Sequence, residues 1–236
     1  MHRRKLSKAL DHADVRDIID AEVHAEKSGK RLNTAVTIHP KFLDAGPVAS
    51  APSDVSRWLA WLTNKIRIWC VRDRGFGYYA TWVRENYEDG YGGNQREHIH
   101  MLIHVPDRDR ADFENALRRW LPGAENAIKI TQPGFDRRRD RWGRGRPTNK
   151  ALTYILKQMT PQARFALCYR VRRETRCRET HAPVAAVMGR RHGVSRSLNA
   201  NARVSCGLQI TSGAAAEAQE KACREAGGEA QARRSL

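Results

Sequence analysis

The stretch "RENYEDGYGGNQREHIHMLIHVP", Arg84 to Pro106, carries the fold and the chemistry together. Two runs of strand composition, "FGYYATWVREN" (76–86) and "REHIHMLIHV" (96–105), flank a turn rich in Gly, Asp and Asn. That is the pattern of an antiparallel hairpin. In a strand, side chains two apart share a face. His98 and His100 therefore point one way, and Ile99, Met101 and Ile103 point the other, as core. With the turn centred between Tyr91 and Gly92, Glu85 stands opposite His98 and Val83 opposite His100. Cross-strand partners on one face have their Cβ atoms about 5 Å apart, so a carboxylate and two imidazoles converge. A slip of one residue would put Arg84 or Asn86 on that face instead. Glu97 lies on the opposite face, and His104, though of the right parity, is farther along the strand.

Burying imidazoles is costly unless something binds them. Two nitrogens and a carboxylate on an open site suit a divalent ion that keeps waters and accepts phosphate oxygens. Catalytic zinc uses a similar donor set. Magnesium or manganese is the expectation if the substrate is a phosphodiester. A His-x-His strand also occurs as a purely structural feature, so the rest of the chain has to decide.

Outward from the hairpin, the pattern alternates. Residues 1–30 form a polar, helix-prone lead-in with weak apolar spacing (Leu10, Val15, Ile18, Ile19, Val23). "GKRLNTAVTIHP" (29–40) reads as a strand stopped by Pro40. After an Ala/Pro/Ser/Gly loop, Ser53 or Asp54 caps a helix whose Trp58, Leu59, Leu62, Ile66 and Trp69 recur at helical spacing. Beyond the hairpin come a second amphipathic helix with Phe113, Leu117, Trp120 and Leu121, the strand "NAIKITQ", and the basic loop "FDRRRDRWGRGRP". "TNKALTYILKQM" then forms a helix capped by Thr148 or Asn149. After about Arg170 the chain turns arginine-rich, then Ala/Gly/Glu-rich, and is expected to be a basic extension with a partly disordered tail. "GRRHGVSRSL" reads there as extra basic surface. The element order predicts an α+β domain on an antiparallel sheet.

Composition narrows the function class. The chain has 236 residues and a formal charge of +17, an excess that points to a polyanionic partner. Arginine far outnumbers lysine, and the guanidinium fork suits phosphate, so nucleic acid is favoured over a membrane surface. Five cysteines, odd in number and never spaced C-x-x-C, argue against a disulfide framework or a zinc ribbon. The charged N-terminus lacks the apolar core of a secretory signal, and no apolar run approaches the roughly 20 residues of a membrane span. A cytoplasmic location is the expectation.

In the helix "TNKALTYILKQM", Lys150, Tyr154 and Lys157 lie along one face, opposite Leu152, Ile155, Leu156 and Met159. A phenol near positive charge is a candidate nucleophile, because cations favour phenolate. His98-Ile99-His100, Glu85 on the preceding strand, the downstream Tyr154-Ile155-Leu156-Lys157 and the early strand "NTAVTIHP" together resemble the HUH endonucleases, in particular their single-tyrosine Rep-type members. The likeness covers roughly Leu32 to Met159. It lacks the paired tyrosines of some initiators, Tyr169 being a poor second candidate, and no Walker A sequence of a fused helicase is present.

The resemblance implies an HUH/Rep-like nuclease fold, with a central antiparallel sheet of about five strands and flanking helices. It divides the chain into a lead-in (1–30), a nuclease domain (31–170) and an extension (171–236). It implies Mg²⁺ or Mn²⁺ on His98, His100 and Glu85, Tyr154 as nucleophile and Lys157 as its electrostatic support. The partner would be single-stranded DNA, at a replication origin or element end. Lys150, Arg137, Arg138, Arg139, Arg141, Trp142, Arg144 and Arg146 would track its backbone and stack a base. The implied activity is site-specific nicking and rejoining through a 5′-phosphotyrosine, initiating rolling-circle replication of a plasmid or phage alongside a host helicase or polymerase. A relaxase or transposase of the same superfamily is one alternative. A non-catalytic nucleic-acid-binding regulator is the other.

Overall fold

The computed structural model of the chain describes residues 6–7, 9–44, 54–86, 97–133, 135–136, 148–156, 160, 163, 187–188 and 190–205. In chain order the elements are β1 (Leu6–Ser7), α1 (His12–Lys27), β2 (Thr34–Ile38), α2 (Asp54–Ile68), β3 (Ala80–Glu85), β4 (His98–Ile103), α3 (Arg110–Trp120), β5 (Ile128–Thr131), β6 (Phe135–Asp136), β7 (Thr148–Asn149), α4 (Lys150–Ile155), β8 (Val187–Met188), β9 (His192–Val194) and α5 (Ala200–Ser205). Five of the strands form one sheet in the order β5-β2-β4-β3-β9, with every neighbouring pair antiparallel. The α+β class expected from the sequence is therefore what the chain adopts. No helix among the described residues is long and apolar enough to cross a membrane.

β4 lies at the centre and is covered on both sides, which is why "HIHMLI" reads as a nearly continuous apolar run. Ile99, Met101 and Ile103 join Val36, Ile38 and Ala80 beneath α2 and α3, where Trp58, Leu59, Leu62, Ile66, Phe113 and Leu117 close the larger core. Truncating any one of the large side chains here to alanine would cost about 2–5 kcal/mol. On the other face, Val83 and Leu102 pack against Val15, Ile18 and Ala21 of α1 and Leu152, Ile155 and Leu156 around α4. α1 starts at a capping box, in which the Asp14 amide donates to Asp11 Oδ1 (2.9 Å) and the Asp11 amide donates to Asp14 Oδ2 (3.1 Å). This helix is more than a lead-in, because its apolar side roofs the same sheet face that carries the histidines.

α2 ends differently from a plain amphipathic helix. Its last turn widens into a π-helical segment over Trp69–Asp73, and Gly75 then takes a positive φ of 71° to redirect the chain into β3. Cys70 is buried in that segment, and burial pushes its thiol pKa up to about 12. It is an inert, reduced thiol.

The expectation that "GRRHGVSRSL" is extra basic surface is corrected by the structure. β9 pairs with β3 at Thr81↔Val194, Trp82↔Gly193 and Val83↔His192. Ser195 donates its amide to the Ala80 carbonyl (2.8 Å), the Thr81 hydroxyl donates to the Gly193 carbonyl (3.1 Å), and Arg191 is 2% exposed. Gly193 lies under the Trp82 indole, where any Cβ would collide with the ring. The segment has few apolar residues, and hydrogen bonds and ion pairs hold it instead.

The chief of these is a clasp to α1. His192 Nδ1 lies 3.1 Å from Asp14 Oδ1 and its Nε2 lies 3.3 Å from Asp17 Oδ2, while Arg203 Nη2 bonds Asp17 Oδ1 at 2.6 Å. Burial alone would push the His192 pKa down, but the hydrogen bonds and charges of the two aspartates outweigh it and raise it from 6.5 to about 9. A group raised on folding stabilises fully below its unfolded value and loses that contribution as pH climbs through the folded one. Thermal stability is thus expected to decline from pH 6.5 to about 9 in the native chain and to be flatter over that window in His192→Gln. A melting series across that range checks it, and equal slopes in the two proteins would refute the clasp.

Candidate metal centre

The register inferred from the turn is the register found. Glu85 pairs with His98, Val83 with His100, and Trp82 with Met101. Both histidines and Glu85 accordingly share the sheet face roofed by α1 and α4, and candidate ligand atoms of the three residues all lie within 4.8 Å of one another. Glu85 is fully buried, His100 is 3% exposed and His98 is half-buried at the open end of the group. Glu97 lies on the far face, where it forms an ion pair with the buried Arg84. The Arg84 guanidinium also donates to the Ser56 hydroxyl at 2.8 Å, which ties β3 to α2.

His100 is held from both sides. Its Nε2 lies 3.0 Å from Glu85 Oε2, and its Nδ1 lies 3.0 Å from Thr37 Oγ1 on β2. The Thr37 hydroxyl both donates and accepts, so it serves either tautomer. It donates to Nδ1 when Nε2–H donates to Glu85, and it accepts from Nδ1–H when the Nε2 lone pair is needed for a cation. A second-layer partner that fixes ring and tautomer is what a ligating histidine requires. The chemistry of the donor set fits a divalent ion: a buried carboxylate and two imidazoles on adjacent strands. Arg191 supplies nearby positive charge. Its own pKa falls to about 10 because it is buried, an effect partly offset by Glu85 and Glu97.

Two further rings complete the cluster. Tyr154 on α4 stands edge-on to His100, ring centroids 5.2 Å apart, and remains 54% exposed. Leu152, Ile155 and Leu156 are buried, so this short helix is anchored by its apolar side with the phenol at the rim of the cluster. His39 stands 4.2 Å from His98 between ring centroids. Burial and the proximity of His100 lower its pKa.

His39 and Thr37 were not singled out from the sequence, although parity could have found them. They alternate with Val36 and Ile38, which enter the larger core, so they face the other way. His104 is indeed elsewhere, its Nδ1 2.9 Å from the Arg31 carbonyl and its ring against Phe76 and Tyr79. Lys150 is the first residue of α4. Lys157, Met159, Tyr169, Arg137, Arg138, Arg139, Arg141, Trp142, Arg144 and Arg146 lie outside the described residues.

No protein-family profile matches the chain, and comparison with curated proteins and with solved structures yields no match either.

Proposed function

We propose that this chain is a metal-dependent, site-specific single-stranded DNA endonuclease of the HUH type, a nickase and strand transferase that initiates rolling-circle replication of a plasmid or phage. The observation that carries the reading is the meeting of Glu85, His98 and His100 with an accessible tyrosine ring on a separate helix. A zinc hydrolase would use the first three but has no role for Tyr154, nor for a charge of +17.

Bound between these ligands, Mg²⁺ or Mn²⁺ would supply Lewis-acid stabilisation of the charge that develops on the scissile phosphate. The remaining work falls to the chain. Glu85 and the two imidazoles fix where the phosphate binds relative to the sheet, and Thr37 holds the His100 ring in place. The Tyr154 oxygen forms a bond to phosphorus and gives up its proton to solvent at the exposed rim. In line with it the P–O3′ bond breaks, and the departing oxygen takes up a proton to become a free 3′-OH. The 5′ side stays joined to the protein as a phosphotyrosine. Because a phosphodiester is exchanged for a phosphodiester, an incoming 3′-OH can reverse the step and rejoin strands. Lys157 stabilises the phenolate, and the arginines and Trp142 of the 137–146 loop hold the strand.

The test is adduct formation. Incubation with a library of single-stranded oligonucleotides is expected to give a covalent band on a denaturing gel, abolished by EDTA and restored by Mn²⁺. Absence of any adduct, with tight binding, would leave a polycationic DNA-binding protein. An adduct that forms in EDTA would remove the metal from the mechanism.

A further inference from the structure

β2 ends at Ile38, paired with Ile99. The next residue, His39, is still extended (φ −109°, ψ 91°) and its ring lies beside His98, while β3 sets Glu85 on the other side of His98. The neighbouring cross-strand row is Thr37, His100 and Val83. His39 is thus the direct neighbour of one ligand and the diagonal neighbour of the other. Its backbone is pinned, since its amide donates to the Ala127 carbonyl at 2.8 Å and Pro40 follows it. Its ring is only half-buried, packed between His98 at 4.2 Å and Phe42 at 5.9 Å between centroids. It can therefore turn about its side-chain torsions without disturbing the core.

We infer that His39 is a fourth ligand of this centre, which makes it a three-imidazole, one-carboxylate set that selects a first-row transition-metal ion over magnesium. The inference rests on the metal centre proposed above and goes beyond it by fixing the class of ion. Magnesium prefers oxygen donors, demands near-ideal octahedral geometry and gives up its waters reluctantly. Each added imidazole shifts the balance toward manganese, cobalt, nickel or zinc, whose affinities for nitrogen sites rise in the order Mn²⁺, Co²⁺, Ni²⁺. A centre with three nitrogens and one buried carboxylate is poorly matched to magnesium. The described ring neighbours of His39 are the rings of His98 and Phe42.

The experiment reads metal binding on the full chain, independently of DNA cleavage. Co²⁺ is titrated into the wild type, His39→Ala, His39→Gln and His100→Ala, following the visible d–d absorption and calorimetric heat, with and without excess Mg²⁺. Unfolding curves confirm that each variant is folded, and the size-conserving glutamine covers the alanine. The wild type is expected to bind Co²⁺ despite excess Mg²⁺. Both His39 variants are expected to lose affinity about 10- to 100-fold and to show a changed absorption band. A His39→Ala protein with wild-type affinity and spectrum, beside a His100→Ala protein that fails, would overturn the fourth ligand while keeping the metal centre. Displacement of Co²⁺ by Mg²⁺ at comparable concentration would overturn the choice of ion. A wild type that binds neither ion would bring down the centre itself.

Discussion

Tyr154→Phe is expected to abolish the covalent protein–oligonucleotide adduct and to lower strand cleavage by at least about 10⁴-fold, the scale on which removing a nucleophile acts. The variant isolates the chemistry because it removes one oxygen and keeps the ring. The edge-on packing against His100 survives, and the side chain is 54% exposed, so the buried core is untouched. Melting temperature and affinity for single-stranded DNA should stay at their wild-type values. The decisive measurement is a denaturing gel with end-labelled oligonucleotide, run beside a binding titration of the same samples. An adduct of undiminished yield would assign the nucleophile to another residue and reduce Tyr154 to a packing element at the rim.

Glu85→Gln carries the second-largest effect. The substitution keeps the shape of a fully buried side chain and removes its charge. Divalent-ion affinity should fall about 100-fold, and cleavage at limiting metal should fall with it. Stability of the metal-free protein should change little, because the shape is kept and a neutral amide oxygen still accepts from His100 Nε2–H. Since an ion that binds only the folded state raises the melting temperature by mass action, the wild type should melt higher on adding Mn²⁺ and the variant should not. An equal metal-induced shift in both would mean that the ion is held somewhere other than Glu85. Glu85→Ala is a poorer probe, because it strips His100 of its buried partner at a cost of about 1–3 kcal/mol whether or not metal matters.

Much of this centre was legible in the sequence because a β-hairpin is nearly arithmetical. Side chains alternate with a period of two, and once the turn's midpoint is chosen, every cross-strand pair follows. Glu85, His98, His100 and Val83 could thus be placed without coordinates. The helices were legible for a similar reason, since Trp58, Leu62, Ile66, Phe113 and Leu117 recur at a helix's spacing and all enter the core.

What stayed hidden lacks such a period. β9 is three residues long and centred on a glycine. Its place in the sheet depends on His192, Arg191 and Ser195 finding partners distant in the chain, and composition cannot encode that. The covering role of α1 was obscured because small residues such as Ala21 and Ala25 do much of its packing, with Glu22 and His24 buried among them. His39 was missed because only the apolar residues and threonines of its strand were weighed. The backbone ladder stops at Ile38, but the side-chain alternation runs one position further, to His39.

β9 also changes what counts as the working unit. Without it, β3 would end the sheet, and the amide and carbonyl of the strand bearing Glu85 would face outward as a template for pairing with another molecule. A fragment trimmed to the histidine and tyrosine motifs would keep every residue named in the chemistry and yet bare a sticky margin beside its own carboxylate. The arginine-rich segment thus acts as a selvedge for the sheet, and preparations of this protein for binding or crystallography should carry the chain at least through Ser205.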